Sequence, residues 1–145
     1  MRDLVDKKTL TSFMERLGTS ARTESRVYLT GGATAVLHEW RPQTVDIDLS
    51  LEPEQDAVLR AIPRLKEALH VNVELATPAP FIPELPGWRD RSAFEATHGR
   101  LHFYHYDFYA QALSKIHRSL PKDLEDVSAM LDRSLTERVF ACSHA

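Results

Sequence analysis

The chain has 145 residues, of which 43% are hydrophobic and 27% are charged, and its formal net charge is −3 at pH 7. This composition predicts a single soluble domain over residues 1–145 and argues against an extensive basic surface for nucleic acid. No stretch reaches the roughly 18 apolar residues of a membrane span, the N-terminus has no signal-peptide core, and a lone cysteine, Cys142, allows no internal disulfide. We therefore expect a cytoplasmic protein without a membrane partner.

The first predicted element is an amphipathic helix over Lys7–Leu17, where apolar residues recur at helical spacing. Gly18 follows directly, and a glycine at this position is typical of a helix C-terminus. A mostly polar connection then leads to a short strand-forming run, Val27 to Leu29.

A glycine pair follows that strand. Gly31 and Gly32 allow a sharp turn and a close approach of the backbone to a ligand. Ala33 to Trp40 has helical composition, and a helix N-terminus at the glycines would offer N–H groups to a phosphate. The alternative is an ordinary turn between a strand and a helix.

The next strand, Val45–Leu49, alternates strictly between apolar and acidic residues. Its odd-numbered residues face one way, whereas Asp46 and Asp48 face the other. Two neighbouring carboxylates repel each other unless a cation lies between them, so the pattern predicts a divalent ion with oxygen ligands. The alternative is a solvated strand face without a metal.

A long helix is predicted over Glu52–Leu69, with Pro53 in its first turn. Pro63 lies inside this segment and predicts a kink or two shorter helices. The strand His70–Leu75 comes next, with Glu74 on its polar face.

Four prolines between Thr77 and Gly87 predict a stiff, extended loop, which could act as a lid or cover a sheet edge. Trp88–Phe94 is ambiguous. Arg100–Asp107 is predicted to be a strand, and its aromatic residues are assigned to the core and to a pocket wall rather than to a base-stacking surface.

The same strand suggests a zinc site made of His102, His105 and Asp107. Their spacing argues against it, because residues 102 and 105 point to opposite faces of a strand. Helices are then predicted over Phe108–His117 and Pro121–Asp132. The apolar stripe of the second helix is predicted from its spacing to comprise Leu124, Val127 and Leu131.

The glycine pair and Asp46-Ile47-Asp48, joined by Arg41-Pro42-Gln43-Thr44, resemble the signature of the nucleotidyltransferase superfamily, which has a polymerase-beta-like fold. The resemblance is closest to small bacterial proteins of the DUF6036 and AbiEii-like type and extends from about Val27 to Leu131. It implies an α/β (α+β) fold, in which a mixed sheet of four or five strands carries helices mainly on one face.

The resemblance also implies a site. Asp46, Asp48 and Glu74 would be the catalytic acids and would bind Mg²⁺ or Mn²⁺. Two features depart from the superfamily pattern, which more often has Gly-Ser at the turn and aspartate as the third acid. Because serine is missing, Thr30 or Thr34 would have to supply a hydroxyl to the phosphates, while Arg41 and Thr44 could orient a phosphate or a loop.

The C-terminal half adds the pattern Tyr106-x-x-Tyr109-x-Gln111-x-x-x-Lys115-x-x-Arg118, which also resembles the DUF6036 and AbiEii-like type. Lys115 would then neutralise part of a triphosphate as a point charge. The structural alternative is an ion pair that joins Lys115 or Arg118 to Asp123 or Asp126 on the next helix.

The function that the resemblance implies is transfer of a nucleoside monophosphate from an NTP to an acceptor, which could be a protein side chain, an RNA end or a small molecule. The AbiEii-like relatives place such activity in toxin–antitoxin and phage-defence systems. The alternative is a catalytically inactive module of the same fold that binds a partner protein. A metal hydrolase built on His102 and His105 is the third and weakest interpretation.

Overall fold

The structure is a computed structural model that describes residues 3–75, 85–118, 120–133 and 135. These residues belong to two compact units, the first with both β-sheets and three helices, the second with three helices. Most of the predicted proline-rich loop, the chain after residue 135 and the side chain of Arg118 lie outside the described residues.

The elements are, in chain order, β1 (Val5–Asp6), α1 (Lys7–Ser20), β2 (Ser25–Thr30), α2 (Gly32–Leu37), β3 (Gln43–Thr44), β4 (Asp46–Glu52), α3 (Asp56–Leu69), β5 (Asn72–Leu75), α4 (Trp88–Arg91), β6 (Ala93–His98), β7 (Leu101–His105), α5 (Phe108–Arg118) and α6 (Pro121–Asp132). None of the helices in the described part of the chain is long and apolar enough to span a membrane.

The main sheet of the first unit has five strands in the order β5-β4-β2-β7-β6, and β1 pairs with β3 in a separate two-stranded sheet. In the main sheet, β4 runs antiparallel to β2 but parallel to β5. Similarly, β7 is parallel to β2 and antiparallel to β6. The predicted mixed sheet is confirmed, and it includes β6, most of which the sequence analysis did not assign.

One face of this sheet forms the hydrophobic core. Ile47, Leu49 and Leu51 of β4 point into it, because every second residue of a strand faces the same way. Apolar residues of α1, α2 and α3 pack in the same cluster. The prediction that helices pack mainly on one face is therefore confirmed for the first unit, and Asp46 and Asp48 point away from this core.

Gly18 does not end the first helix, which continues to Ser20 and is capped at Ala21. Gly18 is buried where α1 meets β6, and a Cβ atom on it would lie 2.3 Å from the backbone oxygen of His98. The glycine therefore permits close packing of a helix on a strand, and the predicted C-terminal stop at this residue is wrong.

Three predicted boundaries around the glycine turn also need correction. The helix after the turn ends at Leu37 rather than Trp40, because Glu39 adopts a left-handed conformation (φ 64°) that a helix cannot continue through. The acidic strand begins at Asp46 and extends to Glu52, so Val45, which was predicted to share its apolar face, precedes the strand and is 57% exposed.

The long helix begins at Asp56, which leaves Pro53 outside it. Pro63 lies within one uninterrupted helix, so the predicted split into two helices is wrong. The proline is on the exposed side, where water can bond the carbonyl that the missing N–H leaves without its helical donor. The following strand starts at Asn72, after His70 has turned the chain in a left-handed conformation.

The second unit is built on buried aromatic residues. The rings of Trp88 and Tyr106 stack with their centroids 4.8 Å apart, and Phe108 is buried with them in this unit. The sequence correctly predicted both bounds of α6, but its buried residues are Asp123, Asp126 and Met130. The predicted apolar stripe is wrong at Leu124, which is 51% exposed.

Candidate active site

A row of acidic side chains crosses two strands on the sheet face opposite the core. Asp46 and Asp48 are half-buried on β4. In the parallel register, Asp48 pairs with Glu74, and Asp46 pairs with Asn72. Paired residues of neighbouring strands share a face and lie about 4.8 Å apart at their backbones. The fold thus brings together the three acids that the sequence singled out.

Asn72 holds the first of these acids in place. Its side-chain Nδ2 donates a hydrogen bond to Oδ1 of Asp46. This contact orients one carboxylate oxygen toward β5 and leaves the second oxygen of Asp46 available as a ligand. The sequence analysis assigned Asn72 no role, although its position two residues before Glu74 on the same strand face was a usable signal.

The glycine turn lies directly against this row. Gly31 has φ 60° and ψ −127°, a conformation that favours glycine. A Cβ atom on Gly31 would meet Oδ2 of Asp48 at 3.4 Å, so the turn and the carboxylate are immediate neighbours. A ligand seated on the turn would therefore contact the acidic row as well.

Thr44 fills the space beside the second glycine. A Cβ atom on Gly32 would lie 1.8 Å from Oγ1 of Thr44, so no side chain fits at residue 32 unless Thr44 moves. The Thr44 hydroxyl donates to the backbone oxygen of Asp46 at 3.3 Å. Thr44 is therefore the residue whose hydroxyl lies between the glycine turn and the acidic strand.

The remaining residues that were predicted to bind nucleotide have different surroundings. Thr30 pairs with Asp48 across β2 and β4 and shares its sheet face. Arg41 follows α2, and its backbone N–H donates to Ala35. Thr34 is completely buried, and its hydroxyl donates to the backbone oxygen of Leu29 on the core side of the sheet. The structure thus does not bring Thr34 together with the carboxylates.

A second polar cluster lies at the end of β7. His105 is buried, and its Nε2 is 2.8 Å from Oε1 of Glu95, while its Nδ1 is 3.0 Å from Oγ1 of Thr34. The His38 and His105 rings meet edge-on with centroids 4.5 Å apart. The hydrogen bond with His105 holds the pKa of Glu95 below its ordinary value.

The main sheet does not bring together the three residues suggested for a zinc site, His102, His105 and Asp107. His102 points to the other face of β7, where it bonds Thr97 and Glu24. Asp107 belongs to the second unit, where it accepts from Arg91 at 2.6 Å. His105 instead joins His38 and Glu95, which the sequence analysis did not select because they come from distant parts of the chain.

Lys115 lies in the second unit on α5. Its Nζ donates to Oδ2 of Asp126 at 2.7 Å and is 3.9 Å from Oδ1 of Asp123, and all three side chains are buried. This is the ion pair that the structural alternative described. The role of Lys115 at a triphosphate stays a prediction.

A family model, DUF6036, described as a nucleotidyltransferase of unknown function, matches residues 7–136. The chain belongs to the DUF6036 family. Searches among curated proteins and among solved structures found no match. Membership in DUF6036 points to nucleotidyl transfer, and this reaction implies an NTP as substrate.

Proposed function

We propose that this DUF6036 protein is a divalent-metal-dependent nucleotidyltransferase that moves a nucleoside monophosphate from an NTP to an acceptor. The observation that carries the proposal is the row of Asp46, Asp48 and Glu74 on one sheet face, directly beside the Gly31–Gly32 turn. Such a row offers oxygen ligands to a metal and a nearby seat for the phosphates that the metal would neutralise.

The donor set fits Mg²⁺ or Mn²⁺. Both ions prefer carboxylate oxygens, and all three acids provide them. Asp46 and Asp48 would be the principal ligands, Glu74 would complete the set, and Asn72 would orient Asp46. When bound, the metal supplies neutralisation of phosphate charge and a template for in-line transfer.

The phosphates would be seated by the glycine turn. A turn without Cβ atoms allows the triphosphate to approach the backbone closely. Thr44 would contribute its hydroxyl beside Gly32, and Arg41, three residues earlier, would contribute positive charge. We leave Thr34 out of the seat because its hydroxyl is buried on the core side.

The reaction is a substitution at the α-phosphorus. The acceptor oxygen forms a new bond to the α-phosphorus. The bond between this phosphorus and the oxygen that bridges to the β-phosphate breaks, and pyrophosphate leaves with the electron pair of that bond. Glu74, the most exposed of the three acids, would take the proton from the acceptor hydroxyl. The turn would hold the leaving group in place while the new bond forms.

The acceptor is proposed at the level of class, as a hydroxyl on a protein side chain, an RNA end or a small molecule. The AbiEii-like resemblance supports a place in a toxin–antitoxin or phage-defence system, in which a partner protein would control the activity. The same acidic face would serve any of these acceptors.

Pyrophosphate release tests this proposal. The full chain is incubated with Mg²⁺ or Mn²⁺ and each labelled NTP, and transfer of label to the protein itself or to added RNA is recorded. Asp46→Asn and Asp48→Asn should each lower the rate by roughly 10³-fold or more, because each removes a metal ligand. Ser50→Ala is the matched control, since Ser50 follows on the same face of β4.

Absence of pyrophosphate release with every NTP and both metals would contradict the proposal that the protein is a nucleotidyltransferase. The inactive binding module would then account better for the turn without serine and for glutamate as the third acid. Isolation of a stable complex with a partner protein would support that second function.

A further inference from the structure

Three metal-ligating side chains from separate elements meet on the core side of the sheet. His38 follows the last residue of α2, Glu95 lies on β6, and His105 ends β7. Their ligand atoms all lie within 4.8 Å of one another. Asp46 and Asp48 occupy the opposite face, so this cluster is separate from the carboxylate row.

A β-bulge delivers the acidic member of the cluster. In the pairing of β6 with β7, Phe94 lies opposite Tyr104 and Ala96 lies opposite Phe103, which leaves Glu95 as the extra residue. Bulges redirect a side chain without ending the strand. Here the bulge brings the carboxylate to 2.8 Å from Nε2 of His105.

The contacts of His105 suit a metal ligand whose orientation is fixed. Its Nδ1 is 3.0 Å from the buried Oγ1 of Thr34, and its Nε2 is 2.8 Å from Oε1 of Glu95. In the metal-free protein, an Nε2–H group of His105 donates to Glu95. With the proton on Nδ1 instead, Thr34 would accept it, and the Nε2 lone pair and the Glu95 carboxylate would both be available to one metal ion.

We propose that His38, Glu95 and His105 bind a first-row transition-metal dication of the Zn²⁺ class. Two imidazoles and one carboxylate suit Zn²⁺, whereas Mg²⁺ prefers oxygen ligands alone. Tetrahedral coordination with metal–ligand distances of about 2.0–2.2 Å puts neighbouring ligand atoms roughly 3.3–3.6 Å apart. The His105–Glu95 pair, at 2.8 Å, would separate slightly, and a pair as far apart as 4.8 Å would close by roughly 1–1.5 Å. A water molecule would complete four-coordination.

Thr34 acts as the outer-shell partner of this site. A ligating histidine usually donates its other N–H to a fixed acceptor, which sets its tautomer and orientation. The Thr34 hydroxyl is completely buried and is held by Leu29. The metal would tie α2, which begins at the glycine turn, to β6 and β7, and its role would be structural and independent of nucleotidyl transfer.

Calorimetry with Zn²⁺ tests the site in the untagged, chelator-treated full chain. The variant Asp46→Asn/Asp48→Asn serves as background, because it removes the carboxylate site on the other face. We expect one equivalent of Zn²⁺ to bind and to raise the melting temperature. Adding Glu95→Gln or His38→Gln should weaken binding at least roughly 10–100-fold, whereas His102→Gln, on the same strand but the opposite face, should leave it unchanged.

Two measurements on the wild-type chain keep the test valid if a variant does not fold. In ¹⁵N spectra, Zn²⁺ should shift the ligating nitrogens of His38 and His105, and the remaining ring proton of His105 should be on Nδ1. Bound Co²⁺ should show tetrahedral visible bands without a thiolate band, which excludes Cys142 as a ligand. Failure of Zn²⁺ to bind in the background variant, or binding that neither Glu95→Gln nor His38→Gln weakens, would overturn the proposal, and a direct hydrogen bond from Nε2 of His105 to Glu95 would account for the cluster.

Discussion

At the scale of single residues, a neutral side chain orients one member of each proposed site. Asn72 donates to Asp46 on one face of the sheet, and Thr34 fixes His105 on the other. Neither neutral group belongs to the acidic or histidine sets themselves. Each would hold a metal-binding side chain in one orientation before the metal ion arrives, and this would reduce the entropy that binding costs.

Asn72→Ala should weaken metal binding at the acidic row by roughly 10–100-fold, the usual effect of losing an outer-shell partner. The free energy of unfolding should fall by only about 1 kcal/mol, because one hydrogen bond is lost at a half-buried position. Calorimetric titration with Mn²⁺ measures the first effect and thermal unfolding the second. Ser50→Ala, on the same face of β4, is the control. If Asn72→Ala and Ser50→Ala bind Mn²⁺ with equal affinity, Asn72 does not position Asp46 for metal binding.

The pKa of Glu95 gives a pH dependence in metal-free protein. Its folded-state pKa lies below the ordinary 4.5, chiefly through the hydrogen bond with His105. A depressed carboxyl pKa contributes stability that is present above the unfolded value and lost as the pH falls through the folded one. Unfolding in chelator should therefore become easier below about pH 4.5, and Glu95→Gln should flatten this part of the profile. An identical acid limb in the two proteins would contradict the assignment.

At the scale of secondary-structure elements, close backbone contacts and buried ion pairs position the helices. The first helix approaches β6 through Gly18, and the turn after β6 contains Gly99 in a left-handed conformation (φ 60°). A Cβ atom on either glycine would lie 2.3 Å from a backbone oxygen of the opposing segment. This contact leaves no room for any larger residue.

Gly18→Ala tests whether close packing or helix propensity dominates at this position, because the two predict changes of opposite sign in the free energy of unfolding. In an exposed helix, the substitution would stabilise by roughly 1 kcal/mol. Here the Cβ atom would collide with backbone, so we expect a loss of at least about 1–3 kcal/mol. Chemical denaturation measures the difference, with the exposed Glu15→Ala of the same helix as control. A gain in stability would show that α1 and β6 do not pack this closely.

Lys115→Ala should destabilise the protein by about 3–5 kcal/mol, because it removes a buried ammonium group that pairs with the buried carboxylates of Asp123 and Asp126. Lys8→Ala, which removes an exposed lysine from α1, should have little effect. Thermal unfolding without nucleotide measures both. A variant that keeps its melting temperature but needs more NTP would favour the triphosphate role of Lys115.

Periodicity in the sequence predicted most elements and the acidic face, because period-two and helical patterns are local properties. It misplaced contacts that depend on tertiary neighbours. Gly18 looked like a helix stop since packing against β6 is invisible in the chain, and α6 was given an apolar stripe because the partner of Asp126 lies on another helix. His38 is far in sequence from Glu95 and His105, so only the folded structure brings the three side chains together.

At the scale of the whole molecule, the first unit carries the two proposed sites on opposite faces of its main sheet. The acidic row lies against the glycine turn, while the histidine cluster includes His38, which follows the last residue of the helix after that turn. The central claim is that the acidic row binds metal together with NTP. Membership in DUF6036 supports nucleotidyl transfer as the reaction. The register of β4 with β5 supports Asp46, Asp48 and Glu74 as the residues of the site.

Electron paramagnetic resonance of Mn²⁺ with a non-hydrolysable NTP analogue tests this claim most directly. Wild-type protein should bind additional Mn²⁺ when the analogue is present, and this nucleotide-dependent binding should disappear in Asp46→Asn and in Asp48→Asn. Glu95→Gln should retain it, because Glu95 lies on the other side of the sheet. If no analogue at millimolar concentration increases Mn²⁺ binding, or if the aspartate variants bind as well as wild type, the acidic row is not a metal–nucleotide site.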